Sequence, residues 1–452
     1  MASTYLSRTP SSTGNRRKFT FSAWIKFNFN QLANNSRIFG CGSATSAWVS
    51  AYINADATLQ LAIVEGGNTY SIQTNRKFKD ESAWYHVVFV VDTENATADN
   101  RLRIYVNGQE ETSLAQRVNP TQDLDTQANT ASKPIDIGSA ENIGYSPRYF
   151  PGIMSHVHMT DGYVYSASNF GSTDSTTGEW NINTSPSVTY GTNGFFILKD
   201  GNSVTDQSGQ SNNFTVSGTL TKTEDCPSNV FCTMNPLDNN IASSTFSNGN
   251  NTIVTNQSNY TWNTGTLGMT SGKFYWEVKY GATSNNSMNY NLIGIADRPT
   301  TSNTAFLGSS SSTANYAYYS DNGHKYFKGS SASYGASYSA GDIIGVAVDL
   351  DNAKLYFSKN GTWQNSGVPT SGSTGTGAIS IDAVSSTTNG VYFPASGDYG
   401  STQYVTNYHN FGNGYFGTTA VSSAGTNASN NGIFEYDVPN GYTALSTKGL
   451  NL

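Results

Sequence analysis

The chain is 452 residues long, more than one ordinary domain accommodates, so two or three domains are expected. Charged residues make up 12% of it, about half the ~25% of average soluble domains, whereas 13% is aromatic, with 28 Tyr, 22 Phe and 7 Trp. That balance excludes a disordered chain and a helical bundle, and a net charge of −7 excludes partners that require clustered Lys and Arg, namely nucleic acid and anionic membrane surfaces.

The first strand signal is Phe19-Thr20-Phe21-Ser22-Ala23-Trp24-Ile25-Lys26-Phe27, in which apolar residues alternate with Thr20, Ser22, Trp24 and Lys26. Period 2 predicts a half-buried strand. Further strands are expected at Arg37–Gly40, Trp48–Ile53, Leu59–Val64 and Thr69–Thr74. Trp84–Asp92 is almost continuously apolar, as in a central strand covered on both faces. A polar loop follows, then Arg101–Val106 with Leu102, Ile104 and Val106 inward, and Asn107-Gly108 closes a type I′ hairpin. Phe150–Gly162 reads as a strand ending in an Asp-Gly turn, Ser166–Gly171 as one helical turn, and Tyr190–Leu198 as a closing strand. Turn formers then dominate. Strands resume at Ser271–Tyr280, Asn291–Asp297, Asp342–Asp349 and Lys354–Ser358, the last running into Asn360-Gly361. The expected organisation is a β-sandwich over 1–205, a turn-rich connector over 206–245, and a second sandwich with a tail over 246–452.

Cys41, Cys226 and Cys232 cannot all pair internally, and reduced thiols are expected. The start, Met1-Ala2-Ser3-Thr4-Tyr5-Leu6, lacks the basic and apolar regions of a signal peptide, and no run of 18 apolar residues predicts a membrane span. His156-Val157-His158 beside Asp161 has a spacing that a metal site could use. The alternative places Val157 and Met159 in the core and both imidazoles toward solvent or a neighbouring chain.

Phe21-Ser22-Ala23-Trp24, Trp84-Tyr85-His86-Val87, Leu102–Gly108 and Gly152–Asp161 together resemble the concanavalin A-like, laminin-G-like jelly roll over roughly residues 15–200. Gly272–Val278, Ile293-Gly294-Ile295-Ala296, Gly341–Asp349 and Leu355–Gly361 resemble, in the same order, the SPRY domain over roughly 245–417. The resemblances imply an all-β fold of two antiparallel jelly-roll-type sandwiches in series. His158–Gly162 leading to Asn169-Phe170-Gly171, Pro227–Leu237, Asn410-Phe411-Gly412 and Pro439–Thr447 resemble blocks of large structural proteins of marine tailed phages. That likeness implies a structural protein of the virion surface, assembled in the host cytoplasm. It would be a tail fibre, appendage or capsid decoration that recognises host surface glycans. The end at Leu452 favours a compact appendage or capsid-surface protein. Other virion proteins are the implied partners, with a homo-oligomer, a trimer, as the assembly and with neither nucleic acid nor membrane insertion. The alternative is a polysaccharide-active enzyme or a secreted lectin of concanavalin A-like fold.

Concanavalin A-like glucanases use a Glu-x-Asp-x-x-Glu strand whose carboxylates do the chemistry. Glu435-Tyr436-Asp437 supplies only the first two acids, and neither a Gly-x-Ser-x-Gly elbow nor a P-loop occurs. A non-enzyme without cofactor is therefore expected. Some laminin-G-like domains bind Ca²⁺, and Asp206, Ser208 and Asn212 offer clustered oxygens for it, although a capped turn needs no ion. The aromatic-rich loops Tyr316–His324 and Tyr399–Tyr415 are the remaining lead. Tyr316, Tyr318, Tyr319, Asn322, His324 and Tyr408 are the candidate contacts to a glycan or to a neighbouring subunit, since rings cover apolar sugar faces and amides meet hydroxyls.

Overall fold

A computed structural model describes residues 4–29, 32, 35–144, 148–199, 203–220, 223–239, 241, 243–256, 259–283, 290–400 and 404–451. Residues 1–3, read above for a leader, residues 401–403 of the second aromatic loop, and Leu452 lie outside that set. The chain forms two units, Met1–Lys222 and Thr223–Leu452.

The first unit pairs an eight-stranded with a six-stranded sheet. The six-stranded sheet runs Phe195–Ile197, Gly152–Asp161, Lys18–Phe27, Tyr85–Asp92, Leu102–Val106 and Gln109–Glu110, all antiparallel. Tyr85–Asp92 is central, as its apolar run predicts. Val87, Phe89 and Val91 enter the main core, while Val88 and Val90 pack with Phe170 on the other face. Asn107 and Gly108 both take positive φ, 47° and 82°, as the I′ turn requires. Lys18–Phe27 differs from expectation, because Thr20, Ser22, Trp24 and Lys26 are buried too. The segment after Asp161 covers that face. Tyr165 donates its N–H to Thr20 Oγ1 (2.9 Å), and Trp180 reaches His86.

The expected connector over 206–245 is divided between the units. Phe214 enters the first core, and Thr215–Ser217 pairs antiparallel with Tyr5–Ser7 to close the eight-stranded sheet. Phe231, Cys232 and Met234 belong to the second core. Turn-rich composition signalled irregular backbone here, but single buried apolar residues tie that backbone down.

In the second unit the larger sheet has the order Thr245–Ser247, Thr252–Val254, Val405–Asn410, Lys273–Thr283, Ile343–Asp349, Lys354–Lys359 and Thr362–Trp363. Thr443–Ala444 pairs parallel with Phe274–Tyr275. The facing sheet runs Trp262–Thr264, Phe393–Asp398, Asn291–Ala296, Tyr316–Tyr319, His324–Phe327 and Ser330–Ser333. Its inner face supplies Ile293, Ile295, Tyr316 and Tyr318 to the main core, and its outer face carries a separate cluster of Trp262, Leu292, Ala296, Leu307, Ala317, Tyr319 and Ala395. Asn360-Gly361 again closes a hairpin with two positive φ values, 49° and 80°.

Candidate ligand-binding face

Alternation along Tyr316–Tyr319 splits the predicted site. Tyr316 and Tyr318 point inward and are 2% and 0% exposed, which removes them as ligand contacts. The Tyr318 hydroxyl donates to the Ala336 carbonyl and its ring packs on Tyr338 (5.0 Å) and Phe357 (5.4 Å); Tyr316 Oη accepts the Asp382 N–H (2.9 Å). Burial pushes the Tyr316 phenol up to about 12 and that of Tyr318 further. Tyr408 lies on the other sheet, opposite Thr252 and Lys279, and is not brought to the others.

Tyr319, Asn322 and His324 do share the outer face and its hairpin. Tyr319 is itself buried, but it forms the floor of a ring cluster, 4.7 Å from Tyr399 and 5.5 Å from Tyr326. Phe306 lies 4.4 Å from Tyr399 and 5.3 Å from Tyr326, Tyr260 5.8 Å from Phe306, and Tyr290 6.1 Å from Tyr399. Tyr260, Tyr290, Phe306, Tyr326 and Tyr399 are each half-buried, so one side of the cluster remains open. Burial pushes the Tyr326 phenol up to about 12. Exposed Asp321 and Asn322 form the hairpin rim, where Asn322 Oδ1 accepts the His324 N–H (3.0 Å). At another side Asn303 Nδ2 donates to Asn259 Oδ1 (3.2 Å). Sequence reading missed Tyr260, Tyr290, Phe306 and Tyr326. They come from separate strands and loops with no common period, and the register that sets Tyr326 opposite Ala317 is visible only in the folded sheet.

The other candidate groups serve the fold. Asp206 Oδ1 accepts the N–H groups of Phe196 (2.8 Å) and Ser208 (2.9 Å), and Oδ2 accepts the Ser208 hydroxyl (2.7 Å) and the Asn212 N–H (2.8 Å). Four donors converge on this carboxylate, the hydrogen bonding of a capped turn. His156 and His158 are both buried, not solvent-facing. A β-bulge between Ser155 and His158 puts His156 at φ 48°, and His158 stacks on Phe196 at 3.9 Å with the Tyr190 hydroxyl 2.9 Å from Nδ1. Trp180 Nε1 donates to His86 Nδ1 (3.0 Å), so the neutral ring keeps its proton on Nε2, which donates to Ser22 Oγ (2.8 Å). Glu435 accepts from Ser422, and Asp437 from the N–H (2.6 Å) and hydroxyl (2.8 Å) of Thr426. Among the described residues no group of three or more His, Cys, Asp and Glu could hold a metal ion.

Buried ionisable groups set an expected pH response. In the second unit burial pushes Asp238 up to about 6, Glu277 to about 7 and Asp398 to about 8. These carboxyls stay protonated in the folded state where the unfolded chain has released the proton, so stability falls as pH rises through the folded values. Burial pushes His86 and His409 down to about 3, from 6.5. Their sign is opposite, since the unfolded chain binds the proton first and stability grows from pH 3 to 6.5. From pH 6.5 to 8 the unfolded imidazoles lose only the last of their protons, and the carboxyls dominate. The second unit should lose on the order of 2 kcal/mol there, while the first changes little. Calorimetry at pH 6.5 and 8 checks this, and equal downward shifts of both transitions would contradict it.

Comparison with known proteins agrees with this architecture. The concanavalin A-like lectin/glucanases superfamily matches residues 2–168, and the SPRY domain matches residues 273–381. No curated protein sequence matches the chain. Among solved structures, the SPRY domain of human HERC1 is similar at 18% identity and TM-score 0.31, over 39% of this chain and 96% of that one. A heptameric pentraxin from Limulus polyphemus is similar at 21% identity and TM-score 0.27, over 36% and 72%. Domain 4 of the arabinanase AbnA from Geobacillus stearothermophilus, solved with arabinotriose, is similar at 19% identity and TM-score 0.27, over 35% and 67%. The chain carries, in order, a concanavalin A-like domain and a SPRY domain in a nearly all-β fold, an organisation that fits a lectin-like or other binding role.

Proposed function

We propose that this chain is a non-enzymatic binding protein of a phage virion surface that engages a host glycan through the outer ring cluster of its second unit. The observation that carries the reading is the open side of the cluster of Tyr260, Phe306, Tyr326 and Tyr399, edged by Asn and Asp side chains. An apolar ring surface with a few convergent polar groups is the general form of a small-ligand site. The engagement of Glu435 and Asp437 in turn hydrogen bonds supports binding rather than hydrolysis. The phage-like blocks at 158–171, 227–237, 410–412 and 439–447 support the virion, with other virion proteins and further copies of this chain, as a trimer, for neighbours.

The test is light scattering on the purified chain followed by a glycan array on the same peak. A defined glycan should bind, and Tyr326→Ala should weaken it roughly tenfold, the equivalent of about 1.4 kcal/mol for one lost ring contact. Excess soluble chain should compete with phage adsorption to host cells. Binding without competition would assign the chain to capsid decoration rather than attachment, and an array with no binder would remove the glycan reading.

A further inference from the structure

The charge around the ring cluster narrows the ligand class. We infer that this face takes an uncharged glycan and rejects uronate-, sialate- or sulfate-bearing ones; the inference rests on the reading above that the cluster is the binding face. Asp321 is exposed at the hairpin and is the carboxylate whose field reaches the phenols of Tyr319 and Tyr326. From Tyr290 to Ser333, the stretch that supplies most of the face, the cations are Arg298, Lys325 and Lys328. Each is committed elsewhere. Arg298 is bound to Asp297 (3.2 Å), the Ser312 carbonyl and the Thr388 hydroxyl (2.5 Å). Lys328 is paired with Asp382 (2.8 Å). Lys325 is one residue out of phase with Tyr326, pairs with inward-facing Tyr318, and lies over the Phe327 ring at 5.4 Å.

Recognition of a carboxylate or sulfate draws on a forked guanidinium or an ammonium. Here an anion would instead sit beside Asp321. The rim offers uncharged partners, the amides of Asn259, Asn303 and Asn322 and the hydroxyls of Tyr326, Tyr399 and Ser331, which suit sugar hydroxyls. A peptide added as a further strand would need a sheet edge. The cluster lies on the sheet's face, and the edge strand there is Ser330–Ser333.

Affinity electrophoresis of the full chain at pH 8 tests this. Dextran, galactan and mannan serve as neutral probes, and alginate, hyaluronate and polysialic acid as acidic ones. Retardation by at least one neutral polymer is expected, unchanged between 50 and 500 mM NaCl in the gel, and at least tenfold weaker in both Tyr326→Ala and Tyr399→Ala. The thermal midpoint of each variant shows whether it is folded, and Tyr326→Ala, nearer the edge strand, stands in if Tyr399→Ala is not. Retardation by acidic polymers alone, lost in the same variants, overturns the inference and leaves the binding face standing. Retardation by no polymer, or retardation that both variants retain, overturns the binding-face reading and the inference with it.

Discussion

Glu277→Ala is expected to destabilise the second unit by about 3–5 kcal/mol, because several buried donors lose their shared acceptor at once. The Glu277 carboxylate is fully buried and accepts four hydrogen bonds. Tyr275 Oη (3.0 Å) and the Tyr436 N–H (2.9 Å) donate to Oε1, and the Glu435 N–H (2.9 Å) and Asn410 Nδ2 (3.4 Å) donate to Oε2. Two of these donors belong to the C-terminal segment that lays Phe434, 5.0 Å from Tyr275, and Tyr442 against the second core. Removing the acceptor leaves buried donors unpaired, at about 1–3 kcal/mol each, and frees that segment. Glu277→Gln keeps the shape but turns an amide N–H₂ toward N–H donors, so about 2 kcal/mol of loss is expected. It should also flatten the decline of stability from pH 6.5 to 8, because the group pushed up to about 7 is gone. Denaturant midpoints and amide exchange at Glu435 and Tyr436 are the measurements. An alanine variant within about 0.5 kcal/mol of the parent, the range of ordinary surface substitutions, with those amides still protected, would refute the clasp.

Gly294→Val should have a comparable or larger effect, about 3 kcal/mol or more, for a steric reason. Gly294 lies opposite Ala317 on one side and Ala395 on the other, in the centre of the six-stranded sheet. A Cβ there would stand 1.8 Å from the Tyr316 carbonyl oxygen and 2.8 Å from the Ala317 Cα. Both are backbone atoms of a paired strand, so relief requires moving the strand that carries Tyr319. A glycine within a strand often marks such a close approach. Loss of glycan binding should accompany the loss of stability, unlike Tyr326→Ala, which should spare the fold. A valine variant with an unchanged unfolding midpoint would show that the strand yields at little cost.

The sequence was informative where structure is local. Period 2 located the strands around Phe21 and Trp276, unbroken apolar runs located those around Phe89 and Val346, and the Asn-Gly pairs at 107–108 and 360–361 located two hairpins. It was less informative about faces. Tyr316, Tyr318 and Tyr319 look alike in a row, yet strand alternation sends the first two inward and the third under the ring cluster. Composition around 206–245 described turns correctly but could not reveal that Phe214 and Met234 anchor them in different cores.

What the sequence by itself determined is therefore two all-β units, their main strands and their tight turns, because alternation and positive-φ turns are properties of neighbouring residues. The tertiary structure alone decided which strand faces are dry and which rings meet. Lys18–Phe27 is buried on its polar side by a segment more than a hundred residues later, and Tyr260, Phe306, Tyr326 and Tyr399 converge from positions up to 139 apart. Such contacts follow from how irregular segments close over a sheet, and those segments carry no period that would announce them.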